Sequence, residues 1–186
     1  MKILVIDGAV RKDGDTNALL SEFLSHFKSP DVSVKTIGFP DNVKPCTDCR
    51  FCEKNCGCTI DDKMAEMWNF ISECDVVVVA SPVWYCCPSG VCLNILSRFQ
   101  TFFNAKKRND KDAIKEKCAA VLLAAGGSGG TDGALKAIRI ALSSINVSRE
   151  NIFTAISEKT DVIPSGKDDN TKAEIKEIAQ KIKDLS

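Results

Sequence analysis

Five of the chain's ten cysteines fall between positions 46 and 58, and four of them, Cys46, Cys49, Cys52 and Cys58, follow the pattern C-x2-C-x2-C-x5-C. Spacers this short let successive thiolates converge on one iron-sulfur cubane, whereas a structural zinc site draws two ligand pairs from separate arms. A 4Fe-4S cluster is therefore a better metal assignment than zinc. Cys56 is an extra thiol that either replaces Cys58 or has no ligand role. A disulfide, zinc, or free thiols at a subunit seam remain open for the same cysteine-rich loop, residues 45–62. Cys86 and Cys87, together with Cys74, Cys92 and Cys118, read as buried small hydrophobes, with a redox role as the alternative for Cys86, Cys87 and Cys92.

Two further loops could hold a ligand. Residues 8–17 contain Gly8 and Gly14 and open directly into a helical pattern, with Arg11, Thr16 and Asn17 as donors. Tight glycine turns, unpaired N–H groups at a helix start and a guanidinium together suit a terminal phosphate. The segment lacks the Lys-Ser/Thr end of a P-loop and the spacing of a dinucleotide fingerprint, which argues against ATP and a Rossmann-bound NAD. An ordinary turn capped by Asp15 or Thr16 is the competing reading. Residues 81–90 carry Trp84 and Tyr85 beside Pro82 and Val83, flat groups able to pack on a ring ligand, or equally a hydrophobic plug or oligomer contact. No catalytic acid or base is identifiable.

The elements that must position these loops alternate. Short apolar runs at 3–6, 32–37, 76–79, 119–125 and 152–156 read as strands. Helical spacing places helices at 16–28, from Asp61-Asp62 through Ile71, at 90–103, across Leu135, Ile138, Leu142 and Ile145, and at 168–185. The four valines 76–79 lack alternation, as a central strand covered on both faces requires. Residues 106–117 read as a solvated connection. Such alternation predicts one domain over residues 1–186, an α/β fold whose parallel sheet carries helices on both faces, with ligands beyond the carboxyl ends of its strands. That rule selects the loops after Ile6, Ala80 and Ala125, the last being the glycine run 126–130.

Lys plus Arg and Asp plus Glu are 25 each, so no net charge advertises a nucleic-acid or membrane surface. No run approaches a membrane span or a signal peptide, so a cytoplasmic location is expected.

Several motifs in one order carry a resemblance: Arg11-Lys12-x-Gly14-x-Thr16, Pro45-Cys46-x-x-Cys49-x-x-Cys52 with Cys58 and Asp61-Asp62-x-Met64, Ala80-Ser81-Pro82-Val83-Trp84 with Ser89-Gly90, and the late glycine loop. The chain resembles the flavodoxin-like NADPH-dependent FMN reductase family, and within it the iron-sulfur flavoprotein branch. The resemblance implies a three-layer sandwich with a five-stranded parallel sheet ordered 2-1-3-4-5. It implies FMN as cofactor and NAD(P)H as electron donor, with Arg11, Asp15, Thr16 and Asn17 in the phosphate loop. Pro82, Val83, Trp84 and Tyr85 would flank the isoalloxazine, and Gly126 and Gly127 would approach its other side. The implied functions are FMN-dependent NAD(P)H oxidoreduction, or electron carriage through a 4Fe-4S cluster with a small-molecule or ferredoxin-type partner, in a homodimer or homotetramer. Two departures stand out. Ala9 occupies a position where the family carries Ser, and Asp15 one where it carries Asn. A carboxylate there repels a phosphate unless it points away or caps the helix. A flavodoxin-like scaffold with zinc or free thiols and no FMN is the alternative that follows.

Overall fold

The computed structural model describes residues 1–110, 114–127 and 130–185. Lys111, Asp112 and Ala113 of the charged connection, and Ser128 and Gly129 of the glycine loop, lie outside them. Strands β1 (Lys2–Asp7), β2 (Ser33–Gly38), β3 (Val76–Trp84), β5 (Lys117–Ala124) and β6 (Val147–Ser157) form a parallel sheet in the order β2-β1-β3-β5-β6. The expected 2-1-3-4-5 order gains one element. A two-residue strand, β4 (Cys87–Pro88), folds back antiparallel on the end of β3.

Alternation along each strand divides the core. Ile3, Val5, Val76 and Val78 pack on one face against Leu19, Phe23, Ile175, Ile178 and Ile182 of helices α1 (Asp15–Ser25) and α7 (Asp169–Leu185). Leu4, Ile6, Val77 and Val79 meet the other layer: α3 (Lys63–Glu73), α4 (Gly90–Ser97), α5 (Gln100–Lys107) and α6 (Asp132–Ser144). Each fully buried aliphatic side chain contributes about 1.5–3 kcal/mol, so the sheet is fixed from both sides. The helix expected at 90–103 is two, α4 and α5, divided at Arg98 and Phe99, and the cysteine-rich loop contains a four-residue turn of helix, α2 (Phe51–Lys54).

The solvated reading of 106–117 fails at its end. Lys117 begins β5 with 3% of its surface exposed, and its Nζ donates to Ile145 O at 3.1 Å, beyond the C-terminus of α6. Burial lowers its pKa to about 8. An unfolded lysine keeps its proton to about pH 10.4, so this group makes stability rise with pH between about 8 and 10.4. Cys74 and Cys92, which burial pushes up to about 11 and about 12, act in the opposite sense. They stay protonated while unfolded thiols ionise above about pH 8.5, so stability falls. Lys117→Met should steepen the loss of Tm between about pH 8 and 10; a melting series parallel to the parent would contradict this.

Candidate functional site

The first loop leaves β1 and is tied to β3 by its backbone: Gly8 N donates to Ala80 O at 2.7 Å. Ser89 completes the seam. Its Oγ donates to Gly8 O at 2.7 Å and accepts from Cys92 N at 3.2 Å, while its N–H donates to Ser81 Oγ at 2.9 Å. The phosphate-type loop and the aromatic loop are thus joined by hydrogen bonds at the carboxyl edge of the sheet. Asp7 shapes the next step by accepting from Ala9 N at 2.9 Å, and burial raises its pKa.

Gly14 is the N-cap of α1, with no side-chain cap, rather than Asp15 or Thr16. A helix start without a side-chain cap leaves N–H groups of its first turn available to an anion. Asp15 sits in that turn, but its Oδ1 accepts from Ser165 N at 2.8 Å, so the carboxylate is engaged by a neighbouring backbone turn. One carboxylate oxygen is thus occupied, while the side chain remains part of the cleft wall. Asn17 is a loop brace: Nδ2 donates to Arg11 O at 2.7 Å and Lys12 O at 3.0 Å.

Three loops meet in one cleft of about 310 Å³. Its wall is formed by Arg11, Asp15 and Thr16 from the first loop, Pro82, Val83 and Trp84 from the second, and Gly126 from the third. A Cβ built on Gly126 meets nothing within 4 Å, so this wall is open backbone. Gly127 does not line the cleft, and its N–H donates to Asp161 Oδ1 at 2.8 Å. Asn17 and Tyr85 also lie off the lining; Tyr85 is fully exposed at the β3–β4 hairpin tip. Thr160 lines the cleft without having been singled out from sequence, positioned by its N–H on Ala125 O at 3.1 Å.

The hairpin turns through Tyr85 and Cys86 with φ of 50° and 61°. Both are left-handed, a conformation that disfavours residues with side chains. Its tip rests on α6 at Gly133, where a Cβ would come within 2.5 Å of Cys86 O. Cys86 and Cys87 are exposed, in contrast to the buried reading, whereas Cys92 is fully buried.

Cys46, Cys49, Cys52 and Cys58 line a second cavity, about 20 Å³, roughly one water-sized sphere. Among the described residues no three Cys, His, Asp or Glu side chains are gathered closely enough to hold a metal ion. All ten cysteines are unbridged. A buried ion pair holds the ends of this loop: Arg98 Nη1 donates to Asp62 Oδ2 at 2.7 Å and to Lys44 O at 3.1 Å, and Nη2 to Ile60 O at 3.2 Å. Asp62 also caps α3 through Met64 N. Hydrogen bonding with Thr59, and then the N–H of Phe51, lowers the Cys49 pKa and favours its thiolate. Asn104 Nδ2 donates to Cys52 Sγ at 3.2 Å.

Residues 1–161 match the sequence signature of the NADPH-dependent FMN reductase family. The chain belongs to this family. An iron-sulfur flavoprotein of Methanocaldococcus jannaschii is 29% identical over 86 residues, 46% of this chain and 45% of the relative. One of Methanosarcina thermophila is 28% identical over 133 residues, 70% of this chain and 66% of the relative. The chain thus spans less than half the length of the first relative. The fold is shared with an FMN-dependent NADH-azoreductase of Bacillus anthracis solved in complex with FMN, with a TM-score of 0.72 at 15% identity, covering 98% of this chain and 99% of that one. Within the family fold, Asp161 and Thr160 are the residues that sequence reasoning missed. Both follow the last strand, beyond any motif; the chain's return past the glycine loop brings Thr160 to the cleft and Asp161 to the N–H of Gly127, off its lining.

Proposed function

We propose that the chain is an FMN-dependent NAD(P)H oxidoreductase. The observation that carries this reading is the convergence of an uncapped helix start, Arg11, Thr16, Pro82, Val83, Trp84 and Gly126 on one cleft. These residues fit FMN: the α1 N–H groups, Arg11 and Thr16 would hold the phosphate, and Trp84 would cover the ring beside the open backbone of Gly126. Bound FMN would supply hydride acceptance from the nicotinamide and electron release to an acceptor. The protein's own part is to orient the ring and exclude water from one of its faces. In the loaded chain, anaerobic NADPH or NADH should bleach the flavin absorption stoichiometrically and a quinone should restore it. Flavin that saturates the site yet ignores both nicotinamides would overturn the assignment.

A specific observation favours a second redox group. Four thiols share one cavity with the buried Arg98 guanidinium, whose Nε has no hydrogen-bond partner among the described residues. Four thiols are the donor type a 4Fe-4S cluster takes, and seating one on Cys46, Cys49, Cys52 and Cys58 requires the small cavity to open and the thiolates to regroup around it. An electron-carrying role with a ferredoxin-type or small-molecule partner follows from that reading; a homodimer or homotetramer with the loop at its seam is proposed separately, from the family resemblance. Ten unbridged cysteines accord with a reducing, cytosolic setting.

A further inference from the structure

Arg98 does more than fasten the cysteine-rich loop. Its side chain is 1% exposed; Nη1 donates to Asp62 and Lys44, and Nη2 makes one bond, to Ile60. Nε is different: it is buried and unpartnered among the described residues. A buried charged donor is rarely left without an acceptor. The same side chain lines the cavity that Cys46, Cys49, Cys52 and Cys58 share. On the opposite count, Asn104 already donates to the Cys52 sulfur, so this cavity has one established N–H to sulfur contact.

We propose that Arg98 is a positioning and tuning residue whose Nε–H donates to a sulfur of the cluster, a thiolate or a bridging sulfide. The inference rests on the cluster reading above. A donor to sulfur withdraws electron density and stabilises the form carrying one more electron, so it raises the reduction potential. Asp62 holds the guanidinium plane in place for this contact.

The test uses the chain reconstituted anaerobically with iron and sulfide, with metal and sulfide analysis before each potentiometric titration. Arg98→Lys keeps a cation opposite Asp62 but removes Nε–H. Its loaded cluster should be harder to reduce, by about tenfold in electron affinity, which is about 59 mV for one electron. Asp62→Asn keeps the guanidinium and removes the neutralising charge, so its potential should move the opposite way. An unchanged potential in Arg98→Lys, or shifts of the same sign in both variants, would overturn the donor role. In the parent chain, one arginine Nε–H signal should move in the ¹⁵N spectrum on loading; no change in any of them would also overturn it. A parent chain that takes up neither iron nor sulfide would instead remove the cluster reading itself.

Discussion

Gly8→Ala should bind FMN roughly 100-fold more weakly than the parent chain, about 3 kcal/mol. A methyl at this position lies 2.9 Å from Ala80 O, 2.9 Å from Ser89 Oγ and 3.0 Å from Cys92 Cβ. The first is strand backbone, the second is held by the hydrogen bonds that join the two loops, and the third belongs to a fully buried thiol. None is the free end of a flexible chain, so the first loop must lift away from β3. Overpacking of this kind costs about 1–3 kcal/mol of stability, or roughly 3–10 °C in Tm at this chain length. The loss of affinity exceeds the loss of stability because the phosphate donors and Trp84 sit on the two loops that are pushed apart. Gly90→Ala is the control: it lies in the same region, at the start of α4, and its Cβ meets nothing within 4 Å. Flavin titration alongside thermal melting checks both. Parent-like affinity in Gly8→Ala would show that the seam does not position the cleft.

Asp62→Ala should be the most destabilising single substitution in the cysteine region. The pair it breaks has side chains 1% and 8% exposed. Removing one member leaves the Arg98 cation buried, which costs about 3–5 kcal/mol, and the cap on Met64 N at the start of α3 is lost as well. Tm should fall by roughly 10 °C or more. The double variant Asp62→Ala/Arg98→Met should recover part of that loss, because it removes the stranded charge with its partner. Additive losses in a denaturation cycle would mean that the two side chains act independently.

The alternation of strands and helices was readable because both faces of the sheet are covered, so 76–79 lacks a polar stripe and the helices show one clear face. The cleft was readable as three loops after parallel strands. The hairpin at β4 was not, since Tyr85 and Cys86 occupy left-handed positions without the Gly or Asn that would announce the turn. Neither was the fate of Asp15: its acceptance of Ser165 N joins positions 150 residues apart. Lys117 read as surface because charge usually marks solvent, whereas carbonyls past a helix end hold it inside. Arg98 carries no local signal at all; it sits in an apolar helical stretch, and its partner is fixed by the loop's return. The pairing gives Asp62 a physical role in the motif 61–64.

The central claim, that the three loops form a seat for a phosphorylated flavin, is tested most directly by titrating the chain with FMN and with riboflavin under the same conditions. The α1 N–H groups, Arg11 and Thr16 can act on the phosphate alone, so one FMN per chain should bind at least about 100-fold more tightly than riboflavin, about 3 kcal/mol. Equal affinity for the two flavins, or no uptake of either, would contradict the account.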